Sequence, residues 1–159
     1  MLTIRQYVDF LNLLKSGKAY DGSGRQIPQD SLNQILDEIL AVRNPCRSEW
    51  LDADFKVMDN KLYINYEHNL VNGQLKPTYS DPLENCLKES KTPGISLDDW
   101  LSRATKHGLP PQDIAQGSLC YWKPGEDNRS VAGFCADSGR AYLDCSWDPQ
   151  NSDASLGVR

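Results

Sequence analysis

The chain has 159 residues, enough for one domain with a hydrophobic core. Hydrophobic residues make up 39% of it and charged residues 25%, as is typical of a globular domain. The net charge of −5, without a run of basic residues, argues against nucleic acid as a partner. No apolar run approaches the about 18 residues of a membrane span, and the N-terminus lacks the features of a signal peptide. We therefore expect a cytoplasmic protein that does not contact membranes.

Residues 1–44 predict two amphipathic helices. The first covers Thr3–Ser16, where Thr3 and Gln6 form a capping box and Gly17 is a suitable C-terminal stop. The second covers about Ser31–Val42 and also begins with a capping box. Both have a one-sided apolar stripe, so we expect this segment to pack on the main domain or to lead into it.

Residues 45–159 predict a mixed domain that ends in strands. Aspartate and asparagine between two alternating runs indicate a hairpin turn, and a cap followed by proline indicates the start of a helix. Because helices come first and strands dominate the end, the fold class is α+β. The predicted elements are a hairpin over Asp54–Met58 and Lys61–Tyr66, an extended segment over Leu75–Tyr79, helices over Asp81–Glu89 and Ser96–Lys106, a strand over Gly117–Trp122 and two strands within 130–147.

The five cysteines predict neither disulfides nor a zinc site. Their odd number argues against a disulfide framework, and no Cys-x-x-Cys pair or nearby histidine gives zinc-ligand spacing. Buried, unpaired thiols are the expected state. The cysteines are Cys46, Cys86, Cys120, Cys135 and Cys145.

No arrangement of side chains predicts a catalytic centre. The carboxylate pair Asp81/Glu84 begins a predicted helix, where acids stabilise the helix dipole. His68 and His107 have no nucleophile in a recognisable motif. We therefore expect no enzyme activity, no metal and no cofactor.

Aromatic residues near the end of the chain are candidates for a ligand site. Tyr121, Trp122, Tyr142 and Trp147 could form an aromatic ligand site, with about half of them in the core instead. In the segment 49–55, the expectation is that the apolar residues enter the core while the acids face water.

The last two strands alternate between two kinds of side chain. Period-2 alternation sends successive residues to opposite faces of a sheet. One set is uniformly apolar, and the other shares no chemistry, which is typical of a scaffold that displays a surface. The alternation also predicts an exposed thiol at Cys135. The apolar set is Ala132, Phe134, Ala136, Ala141, Leu143, Cys145 and Trp147; the other is Gly133, Cys135, Asp137, Tyr142, Asp144 and Ser146.

Residues 130–149 and 155–159 resemble the variable region of proteins diversified by diversity-generating retroelements. Upstream segments at 49–53, 82–87 and 108–110 are similar to the same kind of protein. The resemblance implies a C-type lectin-like fold, related to that of the formylglycine-generating enzyme. The calcium motif of sugar-binding lectins is not matched, nor is the cysteine pair of the oxidase relatives.

In that family, mutagenesis directed at adenines rewrites solvent-facing positions on a rigid sheet, and these positions bind a ligand. The resemblance implies a fixed scaffold of Phe134, Ala141, Leu143, Cys145, Leu156, Gly157 and Val158. It implies a variable, ligand-binding set of Gly133, Cys135, Asp137, Gly139, Tyr142, Asp144, Ser146, Trp147, Asp148, Gln150, Asn151, Ser152 and Asp153.

The resemblance and the alternation disagree about Trp147, since the alternation turns this ring inward. The following Pro149 could end the strand and turn the ring outward. The glycines at 133 and 139 would weaken a strand selected only for stability.

The sequence favours a non-enzymatic binder of a protein or another macromolecular ligand. Four aspartates among the variable positions suggest a basic or hydrogen-bond-donating partner, and the aromatic residues are the natural anchors. Two alternatives stay open. The same face could hold neighbouring subunits in an assembly, or the chain could be an enzyme of the formylglycine-generating-enzyme-like fold.

Overall fold

The computed structural model describes residues 1–43, 47–137, 139–150 and the backbone of 156–157. Helices lead and strands follow, which confirms the α+β class. The elements are α1 (Ile4–Ser16), α2 (Gln29–Leu40), β1 (Arg47–Met58), β2 (Lys61–Val71), β3 (Gln74–Pro82), β4 (Lys91–Ile95), α3 (Leu97–Arg103), β5 (Leu119–Trp122), β6 (Ser130–Asp137), β7 (Arg140–Trp147) and β8 (Leu156–Gly157). None of these helices is long and apolar enough to cross a membrane.

The eight strands of the described residues belong to one mixed sheet. Its order is β3-β2-β1-β6-β7-β5-β4, and β8 pairs in parallel with the start of β1. The C-terminal hairpin β6–β7 therefore lies near the middle of the sheet, while β3 forms an edge. This position matters for the site, because central strands can be covered on both faces.

The core lies between the helices and one face of the sheet, which we call the inner face. The Phe134 ring on β6 contacts Tyr7 of α1 at 5.2 Å and stacks with Trp100 of α3 at 6.4 Å between ring centroids. Leu143 on β7 and Tyr121 on β5 stand in the same row, and both are fully buried. Burial of these large side chains supplies most of the driving force for folding.

The first helix agrees with its prediction in every detail. Thr3 accepts a hydrogen bond from the Gln6 amide, the Gln6 side chain accepts one from the Thr3 amide, and Gly17 ends the helix in the left-handed conformation at φ 67°. The second helix departs from it. It begins at Gln29 after Pro28 and has no side-chain cap, so the predicted capping box at Ser31 is wrong.

Two tight turns build the edge of the sheet. Asp59 and Asn60 connect β1 to β2 with positive φ at both positions, and Asn72 with Gly73 connects β2 to β3 in the same way. Turns of this geometry match the twist of the strands on either side. The hairpin prediction is confirmed, although both of its strands are longer than the alternation indicated.

The predicted helix over Asp81–Glu89 is wrong. Asp81 and Pro82 end strand β3, and residues 83–90 form an irregular segment. A cap followed by proline is compatible with a helix start, but pairing of Asp81 with Ile64 continues the sheet instead. The short strand β4, at Lys91–Ile95, was not anticipated because its Thr-Pro-Gly centre is typical of a turn.

Candidate ligand-binding face

The second face of the central strands, which we call the outer face, carries two rows of side chains. In the first row Cys120, Tyr142, Cys135 and Ser48 stand opposite one another on β5, β7, β6 and β1. In the second row Trp122, Asp144, Gly133 and Trp50 follow the same strands. The alternation therefore assigned Gly133, Cys135, Tyr142 and Asp144 to the correct face.

Four aromatic rings gather on this outer face, and all four are half-buried. Trp50 meets Trp147 edge-on with the centroids 5.0 Å apart, and Trp122 meets Tyr142 edge-on at 5.1 Å. Tyr142 and Trp147 join the two pairs at 6.4 Å. Edge-to-face contacts are favourable for aromatic rings. The four rings, called here the aromatic cluster, come from β1, β5 and β7 and form a continuous surface across four neighbouring strands.

Trp147 joins this cluster because of a bulge in β7. Val131 pairs with Trp147 and Gly133 pairs with Asp144, so two steps on β6 oppose three on β7. One extra residue reverses the direction of the next side chain. The inward direction that simple alternation predicted for Trp147 is therefore wrong, and the cause is this bulge before Pro149.

Gly133 has a packing role on the outer face. The Trp147 ring lies directly above it, and a methyl group at this position would overlap the ring. The glycine is thus needed to seat the tryptophan against the sheet. Contact with Trp147 therefore accounts for a glycine that would weaken a strand selected only for stability.

Cys135 lies on the outer face but is completely buried. The Ser48 hydroxyl donates a hydrogen bond to its sulfur at 3.0 Å, and Tyr142 stands opposite it on β7. The predicted exposed thiol is therefore wrong. The sheet position was correct, but neighbouring side chains on the same face cover the sulfur.

Tyr142 is held by polar contacts as well as by ring contacts. Its hydroxyl donates to the Asp137 carboxylate at 3.0 Å. Burial, together with contacts to Cys135 and Asp137, raises the pKa of the Tyr142 phenol, so the hydroxyl stays protonated and remains a donor.

Asp144 is buried, with 9% of its surface exposed. Its carboxylate accepts hydrogen bonds from the Ser146 amide and the Ser146 hydroxyl, both at 2.7 Å. Burial raises the pKa of Asp144, although hydrogen bonds from Ser146 and Trp147 act in the opposite direction. Asp144 thus supports the bulge that turns Trp147 outward.

The other predicted binding positions differ in exposure. Gly139, Ser146, Asp148 and Gln150 are exposed, while Asp137 is half-buried. Asn151, Ser152 and Asp153 lie outside the described residues. Of the predicted scaffold, Phe134, Leu143 and Cys145 are buried, Ala141 is half-buried, Leu156 and Gly157 form β8, and Val158 lies outside the described residues.

Sequence reasoning missed one member of the aromatic cluster. Trp50 was expected in the core with Leu51 and Phe55, which are indeed buried. Trp50 pairs with Gly133, however, and so points to the outer face. Strict alternation of Trp50 against its buried neighbours could have revealed this direction.

Two histidine–aspartate contacts involve the strands of the β2–β3 hairpin. His68 Nδ1 lies 2.5 Å from Asp52, which is buried rather than facing water as expected. His107 Nε2 lies 2.9 Å from Asp81. The contacts with His107 and with Lys106 lower the pKa of Asp81. The first contact links β1 to β2, and the second links β3 to the loop that follows α3.

The described part of the chain contains no group of three or more His, Cys, Asp or Glu side chains that could hold a metal ion. None of the cysteines at 86, 120, 135 and 145 is in a disulfide, and Cys46 lies outside the described residues. Comparison of the chain with protein-family models, with curated proteins and with solved structures finds no match.

Proposed function

We propose that this chain is a non-enzymatic ligand-binding protein that uses the outer face of β1, β5, β6 and β7 as its binding surface. The observation that carries the proposal is the position of the tryptophans. Three of the chain's four tryptophans lie half-buried in the aromatic cluster, and Trp100 alone is in the core. Partly exposed aromatic clusters are typical of binding surfaces, because they offer large contact areas at low entropic cost.

The scaffold that we propose is C-type lectin-like, and the protein class is that of retroelement variable proteins. The resemblance of residues 130–159 to such variable regions supports this assignment. A sheet whose inner face is packed and whose outer face is built from unrelated side chains also suits it. Exposed positions can change at a small cost in stability while the inner face is kept.

The ligand is a macromolecule, most simply a protein, with basic or hydrogen-bond-donating groups. Asp137 and Asp148 place carboxylates beside the aromatic cluster, and both residues have exposed surface. Aromatic rings attract cations through their π faces, and nearby carboxylates add to that attraction. Lysine and arginine side chains combine an alkyl stem with a cation and fit such a surface.

Contact positions within the predicted set fall into two groups. Tyr142, Ser146, Trp147, Asp148 and Gln150 have surface that a ligand can reach. Gly133, Cys135 and Asp144 are buried. In this proposal, changes at the buried positions alter the shape of the surface by moving Trp147 or Tyr142.

A peptide selection tests the binding function. A random peptide library displayed on phage is selected against the whole chain, and the enriched peptides are synthesised. We expect them to be rich in lysine or arginine and to change the intrinsic tryptophan fluorescence, since three of the four emitters lie at the surface in question. Affinity should fall at least tenfold in Tyr142→Ala.

Tyr20→Ala is the matched control, because Tyr20 is 63% exposed and lies far along the chain in the loop between α1 and α2. It should leave the affinity unchanged. Peptides that bind equally to the wild type and to Tyr142→Ala would contradict the proposal. A molecular mass that doubles at micromolar concentration and returns to that of one chain in Tyr142→Ala would identify the face as a subunit contact instead.

The class assignment has its own test. The codons for residues 130–159 are sequenced in many isolates of the source organism. Differences should concentrate at the outer-face codons and spare Phe134, Leu143 and Cys145. Substitutions spread evenly over both faces would exclude retroelement diversification, whatever the peptide selection shows.

A further inference from the structure

A cavity of about 420 Å³ lies at the other end of the sheet from the β6–β7 connection, and none of its lining residues belongs to the aromatic cluster. It is bounded by the tip of the β1–β2 hairpin, by residues 82–88 and by residues 123–126. Its volume is in the range of small-molecule sites.

The floor of the cavity is apolar. Leu83, Cys86, Leu87 and Pro124 are buried and face it, and Leu62 is half-buried beside them. Burial raises the pKa of the Cys86 thiol, so the sulfur stays neutral and behaves as a small apolar group. The floor of the cavity therefore offers mainly apolar contacts to a ligand.

The rim carries an excess of positive charge. Lys61, Lys88 and Lys123 stand there with Glu84 and Glu126. Lys123 is paired with Glu126 at 2.7 Å. Among the described residues, the ammonium groups of Lys61 and Lys88 have no ion-pair partner. The charge of Lys88 also reaches the floor, since it lowers the pKa of the Cys86 thiol against the effect of burial.

The irregular segment 83–90 that forms one wall is fixed by hydrogen bonds. The Leu83 amide donates to the Leu62 carbonyl at 2.8 Å, and the Leu87 amide donates to the Pro110 carbonyl at 2.8 Å. The Tyr121 hydroxyl donates to the Leu87 carbonyl at 3.1 Å. A site held in this way loses little entropy when it binds.

We propose that this cavity binds an amphipathic organic anion, with an apolar body on the floor and a carboxylate between Lys61 and Lys88. The apolar contacts provide affinity, and the ammonium groups of Lys61 and Lys88, which have no ion-pair partner in the described part of the chain, select the charged head over a neutral one. This site is separate from the proposed binding face and does not depend on it.

A titration of the ¹⁵N-labelled chain with octanoate and with 1-octanol tests the proposal. Amide shifts should change at Lys61, at Leu62, within 83–88 and within 123–126. Octanoate should bind about tenfold more tightly than the alcohol of equal chain length, because a hydrogen bond to a charged group is stronger than one to a neutral group.

The double variant Lys61→Gln/Lys88→Gln should lower the affinity for octanoate to that for 1-octanol. Lys18→Gln/Lys76→Gln is the control, because it removes the same charge from exposed positions outside the cavity. Equal affinity of the wild type for both probes would overturn the proposal. So would shift changes confined to the outer face, or the absence of binding by either probe at millimolar concentration.

Discussion

The hairpins β6–β7 and β2–β3 belong to the same sheet, but they differ in what covers them. The central hairpin β6–β7 packs against α1 and α3 on its inner face and carries the aromatic cluster on its outer face. No residue of the edge strand β3 is buried. Leu70 and Leu75 stand opposite each other on the edge hairpin and are 72% and 63% exposed.

The comparison separates two kinds of information in a strand sequence. Alternation shows which side chains share a face, and both hairpins contain alternating segments. The position of the strand in the sheet decides whether that face is buried. Phe134 in β6 is therefore a core residue, whereas Leu75 in β3 is a surface residue.

The largest expected effect is on the inner face of the central hairpin. Phe134→Ala removes a ring that is 1% exposed and contacts Tyr7 and Trp100. We expect a loss of about 3–5 kcal/mol in the free energy of unfolding, measured by urea denaturation. Val131→Ala, at a half-buried position of the same strand, should cost clearly less. Equal losses would mean that the inner face is no better packed than the outer one.

The outer face of the same hairpin should respond next. Gly133→Ala places a methyl group against the Trp147 ring and should cost about 1–3 kcal/mol by overpacking. The cost should shrink in a Trp147→Ala background, as a double-mutant cycle would show. Gly22→Ala is the control, because open space surrounds that glycine. If Gly133→Ala cost the same in both backgrounds, the Trp147 ring would not lie above Gly133 in solution.

A smaller effect concerns the charge of Asp144. Burial raises the pKa of Asp144 in the folded state, so folding favours its protonated form. The stability that this raised pKa contributes is fully present below the unfolded-state pKa of about 3.8. It is lost as pH rises through the folded-state pKa of Asp144. We therefore expect Asp144→Asn to become more stable relative to the wild type as pH rises from about 3 to 7.

Thermal unfolding across this pH range measures the difference. Asp148→Asn is the matched control, since it removes the same charge from an exposed position a few residues along the chain. A stability difference between Asp144→Asn and the wild type that does not change with pH would show that the buried carboxylate is already compensated.

Much of this arrangement could be predicted from local sequence signals. The cap at Thr3, the stop at Gly17 and the turn at Asp59 each act within a few residues, and the structure agrees with all three. The two faces of β6 and β7 followed from alternation in the same way. The apolar positions of Phe134 and Leu143 are buried as expected.

The remaining features depend on partners that are distant in sequence. The direction of Trp147 depends on a bulge against β6, and the end of β3 depends on pairing of Asp81 with Ile64. Burial of Cys135 depends on neighbours from other strands, including Ser48. Local propensity contains none of this information, because tertiary contacts decide it.

The smallest expected effect is at the edge hairpin, and it tests the comparison from its other side. Leu70→Ser, Leu75→Ser and the double variant should each change the free energy of unfolding by about 0.5 kcal/mol or less. Both side chains are already mostly in contact with water in the folded protein. The same substitution at Leu143, which is fully buried, is the contrast. Urea denaturation at several protein concentrations makes the measurement. A concentration-dependent loss above about 2 kcal/mol in the double variant would show that another copy of the chain covers the edge hairpin in solution. The two hairpins would then differ in burial only in the single chain and not in the assembly.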